Sequence, residues 1–316
     1  MTLKTPLVTG YSSRYTNLGE TTNKGFEITI QSRNIEKPKF IWTTAFTLSH
    51  NSQMVNDVGT EEYVAALSSG WGTSYMMYGY KAGYPLNALW GFQYAGVWKS
   101  AEEFERNNHT KSYASATAYA QSKNMVGTPK YVDVNNDGIL SIDDLVYQGK
   151  SDPVIYGGLQ NTFTIMKNLK IGIYFTYSVG GKIYNYSELA MTGSYTTNQY
   201  RYMLDAFHPV RNPESNLPAA GTAAAFHVPS SLQIHDASYL RFKSFNVFYT
   251  FDLRKKTKAL RDITIGVTGE NLFLWSDYNG FDPDVSSESS SSTLRRVDMG
   301  AYPRARQFVF NLQIRY

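Results

Sequence analysis

The chain has 316 residues, with 30 Lys and Arg against 26 Asp and Glu, a formal net charge of +4. That balance is too mild, and its basic residues too scattered, for a nucleic-acid partner. The absence of Cys excludes disulfides, thiol chemistry and Cys-ligated metals. Aromatic residues make up 15%, with 25 Tyr and 17 Phe; Tyr and Trp favour places with one wet end and one apolar end. No apolar run approaches the roughly 20 residues of a transmembrane helix. The opening MTLKTPLVTGYSS lacks the apolar core of a signal peptide.

Period-2 alternation predicts strands in chain order. Phe26, Ile28 and Ile30 share a face over about 24–32, and Trp42, Phe46 and Leu48 over about 39–49. A weaker stretch, ALWGFQYAGVW at about 88–98, is read as an eighth strand or as part of a loop. Leu159, Phe163 and Ile165 mark a strand at about 156–167. Ile171, Ile173, Phe175, Tyr177 and Val179 mark the clearest one, at about 169–180. Phe245, Val247, Tyr249 and Phe251 lie in a strand at about 238–252, where Leu240 and Phe242 break phase and predict a bulge near Lys243. Ile263, Ile265 and Val267 belong to about 261–276. Phe308, Phe310, Leu312, Ile314 and Tyr316 alternate with Val309, Asn311, Gln313 and Arg315 in the last strand, about 305–316.

The connections alternate short and long. The long ones span about 50–155, 181–237 and 277–304. Short turns on one side and long loops on the other belong to an antiparallel transmembrane β-barrel, whose strands need about 9–11 residues to cross. The fold class is therefore all-β, a barrel segment of seven to eight strands. Seven strands ending in the periplasm place the start of the first one outside. A complete barrel begins in the periplasm and has an even number, so the chain reads as the C-terminal part of a larger barrel. The apolar set of the last strand faces lipid, with Tyr316 in the aromatic girdle. A last strand of a soluble sandwich is the competing reading.

Five motifs carry a family resemblance. They are YTNLGETTNKGFEITI at 15–30, YVDVNNDGILSIDDLVYQG at 131–149 followed by Pro153 to Gly158, DASYLRFKSFNVFYTF at 236–251, GENLFLWSDYNGFDPDVS at 269–286 and VDMGAYPRARQFVFNLQIRY at 297–316. In this order they resemble the C-terminal third of SusC/RagA-like TonB-dependent outer-membrane transporters. The match to 205–219 is looser. The resemblance implies a barrel of about 22 strands with a plugged lumen in the outer membrane. It implies import of oligosaccharides or peptides, energy through the TonB complex and a SusD-like lipoprotein lid. It also makes Phe308, Phe310, Leu312, Ile314 and Tyr316 the strand read by the outer-membrane assembly machinery. The family's plug and earlier strands have no counterpart in this sequence, so transport by the chain alone is not expected. A small stand-alone barrel or adhesin-like protein is the alternative, and it requires 88–98 to cross the membrane. A secreted sugar-binding sandwich is a third reading, disfavoured by apolar strand faces.

DVNNDGILSIDD, residues 133–144, fits a twelve-position calcium loop. Asp133, Asn135, Asp137, Ile139 (through its carbonyl), Ser141 and Asp144 supply oxygens, and Gly138 allows the turn. Position twelve is Asp rather than Glu, and the flank reads as extended. An Asx-rich turn ordered by its own hydrogen bonds is the other reading. Ca2+ is thus a possible ligand, and no cofactor is required. Tyr200, Met203, Leu204 and Phe207 fall at helical spacing, as a packed loop helix or a cargo or lid contact. Trp71 to Tyr80 could stack on sugar rings, though loop packing is the simpler role; cargo-binding residues are not assigned. Five scattered His residues, with no G-x-S-x-G elbow, phosphate loop or dinucleotide fingerprint, predict no enzyme.

Overall fold

Strands of alternating residues form where apolar side chains can share one surface, and here they build a single antiparallel sheet of seven. The computed structural model describes residues 2–4, 13–15, 19–59, 64–65, 78–106, 125–138, 140, 142–192, 198–221, 228–254, 259–287 and 296–316. The wall strands are β1 (Glu20–Lys37), β2 (Phe40–Asp57), β3 (Ile155–Ile165), β4 (Leu169–Val179), β5 (Tyr239–Asp252), β6 (Asp262–Trp275) and β7 (Gln307–Arg315). Each pairs with its neighbour in chain order, so β1 and β7 form the two edges of the sheet. Mean-length soluble strands are about 5–6 residues; β1 and β2 have 18 each. They outrun the alternation because their ladder continues on polar residues. Asn56 Nδ2 donates to Glu20 Oε1 at 2.9 Å and to Thr22 Oγ1 at 2.6 Å.

The register puts the apolar sets side by side. Ile165 faces Leu169, Leu169 faces Tyr249, Tyr249 faces Ile265 and Ile265 faces Leu312. The resulting outward face is open; Phe310 is 81% exposed. Aromatics gather towards both strand ends on β5 and β6. Tyr249 and Phe251 lie 4.6 Å apart near the turns, and Phe242 stacks on Phe273 at 6.3 Å near the long loops. Val247 and Val267 pair between them. An apolar outward face with aromatics towards both ends, and with Phe245 and Phe310 between them, fits a membrane-crossing wall. The opposite face carries Asn311, Gln313 and Thr264, and the Thr250 and Thr264 hydroxyls share a hydrogen bond of 2.8 Å. The register shifts at Lys243 on both sides of β5, where the broken alternation predicts a bulge.

Gly157 and Gly158 have a steric reason. A Cβ on Gly157 would lie 2.0 Å from the Thr47 carbonyl oxygen and 2.8 Å from the Tyr177 hydroxyl. The Tyr177 hydroxyl crosses this gap and donates to the Thr47 carbonyl at 3.0 Å. Its ring stacks on Phe46 at 6.2 Å.

The 88–98 segment does not join the wall. Ala88–Gly91 pairs with Val146–Lys150, and Tyr94–Val97 pairs with Pro129–Tyr131, both within the first long connection. An eight-strand barrel therefore lacks its eighth wall strand among the described residues. The buried core lies in this layer instead of under the sheet. Phe92, Trp98, Met125, Tyr131, Leu140 and Val228 pack together. A wall in lipid needs no core behind it, whereas long loops must bury their own apolar residues.

Candidate functional site: the outer-loop layer

The three long connections are joined by buried polar contacts. Glu188, buried in the short helix Tyr186–Met191, is the hub. Asn185 caps that helix, its side-chain oxygen accepting from the Glu188 N–H at 3.0 Å. The Tyr202 hydroxyl donates to Glu188 Oε1 at 2.8 Å, and His235 Nε2 contacts Glu188 Oε2. Asn279, from the connection after β6, reaches Glu188 Oε1 at 3.4 Å. The Tyr278 hydroxyl donates to Asp298 Oδ2 at 2.7 Å. Burial pushes the Tyr78, Tyr184, Tyr202 and Tyr278 hydroxyls well above the ordinary tyrosine value, so all stay neutral donors. The first connection joins the second through buried Phe92, whose N–H donates to the Pro229 carbonyl at 3.2 Å and whose carbonyl accepts from the Ser231 N–H at 2.9 Å.

Where this layer meets the wall lies a recess of about 240 Å³ lined by Asn51, Asp152, Tyr156, Tyr239, Asp284 and Arg296. Arg296 donates to the Ser178 hydroxyl at 2.9 Å. Burial draws its pKa down, against the Tyr239 hydroxyl and the Asp284 and Asp152 carboxylates. Such a mixed lining can hold a neutral polar group and suits neither a bare anion nor a bare cation. Large apolar side chains also project from the layer. Leu204 and Val210 are each 83% exposed, Phe281 is 73% and Tyr302 is 90%. Single exposed apolar residues are ordinary, so they mark contact surface only as a group.

The acidic loop is ordered by its own backbone. Asp133 accepts from the Asn136 N–H at 2.7 Å and from the Gly138 N–H at 2.9 Å. Asn135 accepts from the Asp137 N–H at 3.0 Å and donates to Asp137 Oδ2 at 2.9 Å. Asp144, fully buried, accepts from the Val134 N–H at 2.8 Å and closes the loop on its start. Ile139 and Ser141 lie outside the described residues. Among the described residues no three carboxylate or imidazole groups gather as a metal site. Among the described residues the arrangement is that of an Asx-ordered turn.

The helical spacing at 200–207 gives a five-residue 3-10 turn, Arg201–Asp205, not an α-helix. Met203 and Phe207 are buried, while Leu204 points out. The looser region at 205–219 is well ordered, with Asn212 Nδ2 and Ser215 Oγ both donating to the Asp205 carbonyl at 2.7 and 2.6 Å. Of Trp71 to Tyr80, only Tyr78, Gly79 and Tyr80 are described; Tyr78 is buried, so loop packing is its role. Phe308, Phe310, Leu312 and Ile314 all lie exposed on β7, and Tyr316 follows its last paired residue.

No family model matches the chain. Among curated proteins it is 28% identical to TonB-dependent receptor P26 of Formosa agariphila, over 98% of the chain and 31% of the relative. It is 22% identical to TonB-dependent receptor SusC of Bacteroides thetaiotaomicron, over 99% of the chain and 28% of the relative. The chain thus spans about a third of the length of these relatives. Among solved structures it resembles the RagAB peptide transporter, with a TM-score of 0.73, 19% identity, and coverage of 99% of this chain and 31% of that one. That likeness speaks for the fold. With the seven-stranded wall, these likenesses make the chain similar to the barrel portion of a SusC/RagA-like TonB-dependent receptor.

Proposed function

We propose that this segment supplies the C-terminal wall and outer loops of a barrel that imports oligosaccharides or peptides. The supporting observation is the combination of a wall whose two edge strands have no further strand partner among the described residues and a densely bonded loop layer above it. Edge strands bare to lipid leave backbone groups unsatisfied, which a bilayer does not tolerate; further strands would complete the ring. The recess beside Tyr156 and Tyr239 and the projecting Leu204, Val210, Phe281 and Tyr302 are offered as cargo-facing and lid-facing surfaces. A SusD-like lipoprotein would be the lid, and TonB would act through a plug outside this segment. The chain itself carries no catalytic chemistry; it binds and gates. The RagAB neighbour is a peptide transporter by name and SusC a receptor, so both cargo classes are carried forward.

The test is uptake. Cells lacking the gene are compared with cells expressing it, using fluorescent oligosaccharides and fluorescent peptides, with and without a protonophore. Energy-dependent uptake of one class that needs the gene supports the proposal. Gene-dependent uptake that ignores the protonophore contradicts TonB coupling, and no gene-dependent uptake of either class contradicts import of these cargoes.

A further inference from the structure

The short turns of the wall concentrate positive charge. Residues 33–39, 166–168 and 252–262 hold nine Lys and Arg against three Asp and Glu, whereas the whole chain has 30 against 26, so the rest of the chain is slightly acidic. Lys255, Lys256 and Lys258 lie outside the described residues; the others share one rim. Backbone bonds join the turns edge to edge. The Met166 N–H donates to the Lys39 carbonyl at 2.8 Å, the Thr250 N–H to the Asn168 carbonyl at 2.9 Å and the Arg261 N–H to the Arg315 carbonyl at 2.8 Å.

Arginines take up the carboxylates of this rim. Arg33 holds Glu36 at 2.5 Å, Arg254 holds Asp252 at 2.6 Å and Arg315 holds Asp262 at 3.3 Å. Lys37, Lys39 and Lys167 are exposed and have no ion-pair partner among the described residues. Lys167 keeps a φ of 63°, a left-handed conformation that Asn or Gly adopts at less cost, so its cation is held there against the backbone preference. The three lysines line one recess of about 320 Å³. Its walls include Glu36, Ile41 and Thr164, which the register puts on the lumen side with Asn311. Phe40 is its only lipid-facing apolar lining.

A lysine is a compact charge on a flexible stem and recognises charge more than a fixed planar geometry. Several of them spread along a rim suit a partner whose carboxylates repeat along a chain. We propose that this rim docks the carboxylate-bearing peptides of the cell-wall polymer that lies beneath the outer membrane. A phospholipid surface fits less well, because the recess turns mostly towards the lumen. The proposal rests on the reading of the wall as an outer-membrane barrel segment with its short turns in the periplasm.

The experiment uses the intact polypeptide that carries this chain, held in nanodiscs of neutral phosphatidylcholine. It is sedimented with isolated cell-wall sacculi, and with sacculi whose carboxylates have been amidated as the uncharged probe. Binding should need the free carboxylates and weaken with salt, because exposed charges are screened. It should fall about tenfold in Lys37→Gln/Lys39→Gln/Lys167→Gln, the effect of losing three exposed ion pairs. It should persist in Lys37→Arg/Lys39→Arg/Lys167→Arg and in the equal-charge control Lys81→Gln/Arg201→Gln/Arg211→Gln. Equal binding by the triple-Gln variant, or to amidated sacculi, overturns the proposal. So does a triple-Gln variant that loses affinity only for phosphatidylglycerol vesicles, which would give the lysines to a lipid surface. Lys39→Cys checks the orientation separately. Compared with the unsubstituted protein, it should gain no label from a bulky maleimide in whole cells and should gain it once the outer membrane is permeabilised. Failure to bind sacculi with that labelling pattern intact refutes only the docking surface. Labelling in whole cells refutes the orientation of the wall with it.

Discussion

The Thr44 hydroxyl donates to Asn161 Oδ1 at 2.7 Å, across 117 residues, on the outward face of the wall. Trp42 Nε1 donates to the same oxygen at 2.9 Å, and Asn34 Nδ2 donates to the Thr44 hydroxyl at 2.6 Å. Ser32 completes the row with a 2.6 Å bond to Asn34 Oδ1. A polar row inside a lipid-facing band is costly unless each member is paired. Here the donors feed one another.

Asn161→Leu removes the acceptor and leaves the Trp42 N–H and Thr44 hydroxyl unpaired against hydrocarbon. The expected loss is about 1–3 kcal/mol, despite a side chain better suited to lipid. Urea unfolding of the intact polypeptide in vesicles reads it as a lowered midpoint. An unchanged or raised midpoint would mean that the row contributes nothing.

Asp282 and Arg241 form the most enclosed ion pair among the described residues, at 2.6 Å with both side chains buried. Asp284 stands 4.0 Å from the same guanidinium, and Arg241 Nε has no acceptor. Removing one partner of a buried pair costs about 3–5 kcal/mol. Asp282→Ala should therefore loosen the connection after β6 far more than the paired change Arg241→Met/Asp282→Leu. Limited proteolysis of cells displaying each variant checks the order.

Acid should loosen the loop layer. For Glu103, burial pushes the pKa up, but the Lys130 ammonium at 2.6 Å, the Lys99 N–H and nearby charge outweigh it, so the net shift is down. For Asp236, burial likewise pushes up and is outweighed by Ser238 and the Lys182 ammonium. A depressed folded value stabilises above the unfolded value, near 4 for these groups, and the stabilisation is lost as pH falls through the folded value. Protease resistance of the loops should thus be flat from about pH 6 to 8 and decline below about pH 4. In Glu103→Gln/Asp236→Asn the acid-dependent part should shrink; an identical acid profile would contradict the assignment.

Calcium should leave the acidic loop unchanged. Asp133, Asn135 and Asp144 already accept from the loop's own N–H groups. Melting of the intact polypeptide is expected to coincide in calcium and in chelator. A rise with calcium that disappears in Asp133→Asn/Asp144→Asn would establish the metal reading.

The wall was legible because its signal is local. Seven runs of alternation gave seven strands, and the phase slip at Lys243 gave the bulge. Even the Thr44–Asn161 contact left a trace. Each residue interrupts an apolar face at its own strand, and the register sets the two interruptions opposite each other. The loop layer left no such trace. Phe92, Tyr131 and Val228 meet from segments far apart in sequence, and Glu188 meets His235 across 47 residues. Neither has a period to read. The spacing at 200–207 gave a short packed helix but not its type, because 3-10 and α turns place similar residues inward over so short a span. The calcium pattern has no single structural meaning, because the Asx residues that can ligate metal also cap their own backbone.

The size of the native polypeptide tests the central claim most directly. An antibody against residues 286–295 is used to probe the outer-membrane fraction of the source cells on a fully denaturing blot. The chain itself is 35.7 kDa and spans 28–31% of its SusC-type relatives. A wall segment of a large plugged barrel predicts a band roughly three times that mass. A band near 35.7 kDa in that fraction would contradict it and require these seven strands to stand without the rest of a ring.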